Sequence, residues 1–153
     1  IILNKGTSDG LQSDHGVITP AGVVGRIVKT TSSTSVVLLL TDPNNAIAGL
    51  IQRTRDEGIV EGATNGTAQL KYIPLLSDAR TGDRVVTSGL VGGFPRGLAI
   101  GTITRIDKED EALFQSAELV PEVDPNHVEE VLVILPTSFP TEGERLGAPK
   151  TKR

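Results

Sequence analysis

Apolar residues recur along this chain in short runs rich in Val and Ile, separated by breaks that contain Gly, Pro, Asn or Asp. The runs are Val23 to Val28, Ser35 to Thr41, Ala46 to Gln52, Gly58 to Glu61, Thr67 to Ile73, Asp83 to Ser88, Leu98 to Asp107, Leu113 to Val120 and Val128 to Leu135. Breaks such as Asp9-Gly10, Asp42-Pro43-Asn44-Asn45, Asn65-Gly66 and Thr81-Gly82-Asp83 supply the backbone freedom that tight turns need. This spacing predicts an all-β fold built as small β-barrels with little helix. Over Thr67 to Ile73, Ala68, Leu70 and Tyr72 alternate with Thr67, Gln69 and Lys71, the pattern of a strand with one wet face. Val36 to Leu40 is apolar on both faces and is expected to be a central, buried strand. No long segment repeats its apolar positions at helical spacing. A short turn is expected within Asn126 to Val131, with Asp124 capping it ahead of Pro125.

The strand pattern breaks at Pro74 to Ala79, which predicts a first β-barrel over residues 1–74 and a second over 75–136. The boundary is approximate, because interleaved barrels would give the same pattern. Residues 137–153 carry Pro140, Gly143, Gly147 and Pro149, few aliphatics, and four basic against two acidic side chains, so a disordered tail is expected there.

Composition narrows the chemistry. At 153 residues the chain can bury roughly 70% of the surface it exposes unfolded. It contains no Cys and no Met, which removes disulfides, thiol catalysis and cysteine zinc sites. A chain opening at Ile1 without Met is expected to be a piece of something longer, so a signal peptide is not excluded. The net charge of −4 disfavours nucleic-acid binding through phosphate neutralisation and a polybasic membrane patch. With no Trp, one Tyr and three Phe, stacking platforms for bases or sugars are nearly absent. The run Val36 to Leu40 falls far short of the ~20 apolar residues of a membrane helix.

Three constellations invite a chemical reading. His15, Asp42 and Ser88 stand in the order of a chymotrypsin-like triad, the alternative of a hydrolase, yet Val86-Thr87-Ser88-Gly89 lacks the strained nucleophile turn that forms an oxyanion hole. Asp107, Glu109, Asp110 and Glu111 cluster without the spaced ligands and glycine of a calcium loop, and His127 beside Glu129 and Glu130 has no second His at metal-ligand spacing. Neither a metal nor a cofactor is expected. The segment Gly89 to Gly97 is Gly-rich but is followed by a strand and has no Gly-Lys-Ser/Thr ending, so it is not a phosphate loop. Its apolar residues Leu90, Val91, Phe94 and Pro95 either plug a barrel end or contact a partner.

Several segments in fixed order resemble the extracytoplasmic domain of the bacterial rod shape-determining MreC family. They include Asn4-Lys5-Gly6, Val17-Ile18-Thr19-Pro20 with Gly22-Val23-Val24-Gly25, Val37-Leu38-Leu39-Leu40-Thr41-Asp42-Pro43-Asn44, and Gly58-Ile59-Val60-Glu61-Gly62. The order continues through Gly82-Asp83-Arg84-Val85-Val86-Thr87-Ser88-Gly89-Leu90, Phe94-Pro95-Arg96-Gly97-Leu98, Gly101-Thr102-Ile103-Thr104 and Val128-Glu129-Glu130-Val131-Leu132-Val133, covering about residues 1–136. The resemblance implies two protease-like barrels without a catalytic centre, standing in the periplasm and anchored to the membrane by a segment that precedes this one. It implies a scaffold of the cell-elongation machinery, in contact with MreB, MreD, RodA and the elongation-specific penicillin-binding transpeptidase, and prone to homo-oligomerise. A generic periplasmic adaptor is the further alternative.

Overall fold

The computed structural model describes residues 1–89, 93–108 and 112–135. Its strands are β1 (Ile2–Leu3), β2 (Gly16–Thr19), β3 (Gly22–Thr30), β4 (Ser35–Leu39), β5 (Ala46–Ile51), β6 (Glu57–Gly62), β7 (Ala68–Pro74), β8 (Arg84–Thr87), β9 (Ala99–Asp107), β10 (Phe114–Pro121) and β11 (Leu132–Ile134). Two short 3₁₀ turns, Thr7–Asp9 and Pro125–His127, are the helical elements among the described residues. The second is capped as the sequence suggests, Asp124 accepting from the Asn126 N–H at 2.9 Å. No helix among the described residues is long and apolar enough to cross a membrane.

The strands form two units. One is a closed barrel in the order β10-β7-β6-β5-β8-β9; the other is an open half-barrel in the order β1-β4-β3-β2-β11. All pairings are antiparallel. The chain therefore builds most of the half-barrel first, then the whole closed barrel, and returns through β11 to the half-barrel. The break at Pro74 to Ala79 runs from the last residue of β7 toward β8, inside the closed barrel, so the chain passes between the units near residues 40–45 and 122–131 rather than at 74–75.

Each unit has its own core. Ile51, Val60, Leu70, Ile73, Val85, Ile100, Ile103 and Leu119 fill the closed barrel, while Leu11, Val17, Val24, Ile27, Val37 and Val123 fill the half-barrel. Strand β3 serves both, because its pleat turns Val23 toward the barrel core and Val24 toward the other. Polar groups tie the units further: Arg26 Nε donates to Asn45 Oδ1 at 3.2 Å, and the buried Asn45 amide donates to the Leu39 carbonyl at 3.1 Å. The expectation of a buried central strand at Val36 to Leu40 needs correcting. Strand β4 lies next to the edge, covered only by the short β1, and Val36 is partly exposed.

Candidate partner-binding surface

Strand β7 obeys its predicted alternation only as far as Lys71. Ala68 and Leu70 point into the barrel, but Tyr72 points out and Ile73 takes the inward position. The cause is a β-bulge. Across to β10, Leu70 is opposite Ala117 and Ile73 is opposite Gln115, so Lys71 and Tyr72 together face the single residue Ser116. The extra residue is accommodated by Tyr72 at a φ of 64°, the left-handed region that a bulky side chain rarely adopts. Backbone strain of this kind concentrates at functional positions.

The bulge brings the Tyr72 ring onto Phe114, edge to face with centroids 5.8 Å apart. Phe114 is opposite Pro74, and Pro74 opens a tight turn closed by the Ser77 N–H donating to the Pro74 carbonyl at 3.0 Å. The two central positions of that turn, where polar residues or glycine are usual, hold Leu75 and Leu76. Leu76 is 99% exposed and Leu113, just before β10, is 80% exposed. Tyr72, Leu75, Leu76, Leu113 and Phe114 thus form one apolar patch at an end of the closed barrel. Together they expose about three whole side chains' worth of surface, on the order of 500 Å² and near the upper limit for a monomer.

The turn is held from below. Gln115 is buried, and its amide Nε2 donates to the carbonyls of Pro74 at 2.9 Å and Ser77 at 3.1 Å, with a longer contact to Leu75 at 3.4 Å. Ser77 Oγ donates to Asp56 Oδ2 at 2.5 Å. Beyond the turn, Arg53 forks onto Asp83, Nε to Oδ1 at 2.8 Å and Nη2 to Oδ2 at 2.9 Å. The Arg80 N–H adds a third bond to Asp83 at 2.8 Å. Hydrogen bonding from Arg53 outweighs burial and holds the Asp83 carboxyl below its usual range. The leucines are therefore presented on a braced turn, so docking would require little ordering.

The residues singled out from sequence are placed elsewhere. Phe94 is 7% exposed and packs in the barrel core with its ring over Gly16 of β2, where a Cβ would come within 2.7 Å of the ring. Its backbone neighbour Gly93 sits equally close, a Cβ there meeting the Asp14 carbonyl at 2.3 Å. Phe94 also lines a 640 Å³ cleft between the units, beside Asp14, Arg26, Ala48 and Ile59. Pro95 is exposed, while Leu90 and Val91 lie outside the described residues.

His15 is buried, its Nδ1 accepting from the Gln12 N–H at 3.3 Å, and Asp42 Oδ1 accepts from the Asn44 N–H at 2.8 Å, so each is engaged within its own turn. Ser88 is buried too, its backbone N–H donating to the Ala48 carbonyl at 3.1 Å. Asp107 pairs with Arg105 at 3.2 Å; Glu109, Asp110 and Glu111 lie outside the described residues. His127 is exposed and bonds Asp124 at 2.6 Å. No group of three or more potential ligands among the described residues is arranged to hold a metal ion.

Residues 1–135 match the family described as rod shape-determining protein MreC, barrel core. The chain is 35% identical over 137 residues to the cell shape-determining protein MreC of Listeria monocytogenes, a match covering 86% of this chain and 46% of that protein. The chain thus spans about half the length of that relative. Among solved structures, MreC from Pseudomonas aeruginosa superimposes with a TM-score of 0.81 at 29% identity, covering 88% of this chain and 87% of that one. The same fold, at 23% identity and a TM-score of 0.61, occurs in a complex between a penicillin-binding protein (PBP2) and MreC from Helicobacter pylori, with 71% of this chain and 69% of that one covered.

Proposed function

Because the chain belongs to the rod shape-determining MreC family, we propose that it is a non-catalytic scaffold of bacterial cell elongation that docks a penicillin-binding transpeptidase at the extracytoplasmic face of the membrane. The observation that carries this reading is the exposed apolar patch on the braced turn after β7. Apolar side chains at a turn tip contribute nothing to the barrel core, and burying about 500 Å² of them would yield on the order of 12 kcal/mol before the cost of association. The solved pairing of an MreC with PBP2 supports the class of partner. As a scaffold the barrel would activate the enzyme only by binding its active arrangement more tightly than its inactive one. Contacts of the whole protein with RodA, MreD and MreB, self-association and membrane anchoring belong to the same proposal by family resemblance.

Calorimetry of this chain with the ectodomain of the cognate transpeptidase tests the reading. Saturable binding is expected, weakened more than tenfold by Leu76→Asp, since a buried leucine is worth about 1.5–3 kcal/mol. Binding untouched by Leu76→Asp but lost in Pro95→Asp would move the contact to the Gly-rich loop, and no binding by any variant would overturn the partner.

A further inference from the structure

Asn65 is the one asparagine of this chain that is followed by glycine. It stands at the tip of the β6–β7 hairpin, where Gly62 pairs with Ala68 and the Ala63 N–H donates to the Thr67 carbonyl at 2.9 Å. Asn65 is exposed, and Gly66 has a φ of 79°, a conformation that glycine adopts without strain. An asparagine side chain is open to attack at Cγ by the backbone nitrogen of the next residue, provided that nitrogen is uncrowded and free of hydrogen bonds. The other asparagines fail this condition. The nitrogen after Asn44 donates to the Asp42 carbonyl at 2.9 Å, and the nitrogen after Asn126 donates to the Asp124 carbonyl at 3.1 Å. Asn45 is buried, its side chain fixed by Arg26 and the Leu39 carbonyl, and Asn4 precedes the bulky Lys5. The Gly66 N–H makes no hydrogen bond among the described residues, and a Cβ on Gly66 would meet nothing within 4 Å. The electrophile is prepared as well: Thr67 Oγ1 donates to Asn65 Oδ1 at 2.8 Å. Attack at Cγ places negative charge on that oxygen, where a donor already in position stabilises it.

We propose that Asn65 is a self-modification site that converts to isoaspartate, with the Gly66 nitrogen as nucleophile and the Thr67 hydroxyl as oxyanion donor. The Gly66 nitrogen gives its proton to hydroxide as it bonds to Cγ. The oxyanion then collapses, the Cγ–Nδ2 bond breaks, and Nδ2 leaves as ammonia with a proton from water, which restores the hydroxide. Water next opens the five-membered imide. Opening at the main-chain carbonyl carbon of residue 65 breaks its bond to the Gly66 nitrogen and leaves the chain running through Cγ; opening at Cγ gives ordinary aspartate. Overall one water enters and one ammonia leaves. The isoaspartate form carries an added negative charge and an added main-chain carbon in the turn. At the base of this hairpin Gly62 packs against residues 41 and 42, where the chain enters the closed barrel, and a Cβ there would lie 2.3 Å from the Asp42 carbonyl oxygen. The longer turn loosens this junction. The Tyr72 patch lies toward the other end of β7, so this proposal and the transpeptidase reading stand or fall independently.

The test is incubation of the whole folded chain at pH 7 and at pH 9, followed by trypsin digestion. The peptide Asp56–Lys71 is then read by mass spectrometry and by labelling with an isoaspartyl methyltransferase. A gain of one dalton at residue 65 is expected, with isoaspartate the main product, faster at pH 9 and at least tenfold ahead of any other asparagine. Thr67→Val keeps the side-chain shape without the hydroxyl and is expected to slow the reaction at least threefold, with Thr67→Ser restoring it. The aged chain is expected to unfold at lower urea than Asn65→Asp, which has the charge without the extra carbon. A native chain unchanged at Asn65 while a synthetic peptide of residues 56–71 reacts would overturn the site, as would another asparagine reacting first. An equal or higher rate for Thr67→Val would overturn the role of the hydroxyl. An aged chain as stable as Asn65→Asp would overturn the loosening of the junction.

Discussion

Replacing Tyr72 by Ala and, separately, by Gly distinguishes the strained bulge from an ordinary strand position. Both substitutions remove the ring and with it the edge-to-face contact with Phe114, worth about 0.5–1.5 kcal/mol. They differ only in the Cβ. In a regular strand the glycine variant is the weaker by about 0.5–1 kcal/mol, because glycine loses more freedom on folding. At a φ of 64° the order reverses, since a Cβ in the left-handed region costs about 1–2 kcal/mol. Tyr72→Gly is therefore expected to be more stable than Tyr72→Ala by about 1 kcal/mol. Urea unfolding followed by far-ultraviolet circular dichroism reads this as a midpoint higher by ~0.5 M, taking a slope of about 2 kcal/mol/M. Both variants are expected to lose transpeptidase affinity equally if the ring is what the partner contacts. A midpoint for Tyr72→Ala equal to or above that of Tyr72→Gly would refute the bulge geometry. Undiminished affinity in both would refute the role of the ring.

Three further outcomes are expected. Gln115→Leu removes the donor shared by the carbonyls of Pro74 and Ser77 and should cost about 1–3 kcal/mol in urea unfolding, with partner affinity falling as the leucine turn loosens. In Gly16→Ala the new methyl would meet the Phe94 ring at 2.7 Å and the Gly93 carbonyl at 2.6 Å, so the unfolding free energy should drop by about 1–3 kcal/mol through overpacking at the junction of the units. Asp83 has its folded pKa below the ordinary 3.8 because Arg53 bonds its ionised form; its stabilisation is complete above that value and disappears as pH falls through the folded one. Thermal melts between pH 6 and pH 2 should thus fall more steeply for the parent chain than for Asp83→Asn, and parallel curves would contradict the linkage.

Much of the local structure was legible. The β-branched runs mark nine of the eleven strands to within a few residues, and Asp9-Gly10, Asn65-Gly66 and Thr81-Gly82 do place glycines at positive φ in turns. The missed strands, β1 and β2, are short; β1 pairs with the distant β4, and β2 is held by the distant β11 on one side and by its neighbour β3 on the other. The patch was half visible. Two leucines directly after Pro74 are out of place in a turn, but read as part of a joint between domains they carried no signal. Tyr72 was misread because strict alternation placed it inside with Leu70.

Local chemistry is set by each residue and its near neighbours, which is why strand content, turn sites, scarcity of helix and absence of thiol chemistry follow from the order of side chains alone. Which strands share a sheet depends on closure of barrels between residues far apart in the chain, and periodicity carries no such distance. The bulge that turns Tyr72 outward arises from two residues of β7 facing one of β10, and only the paired strands define it. Tertiary structure decided the surfaces, and with them where a partner would bind.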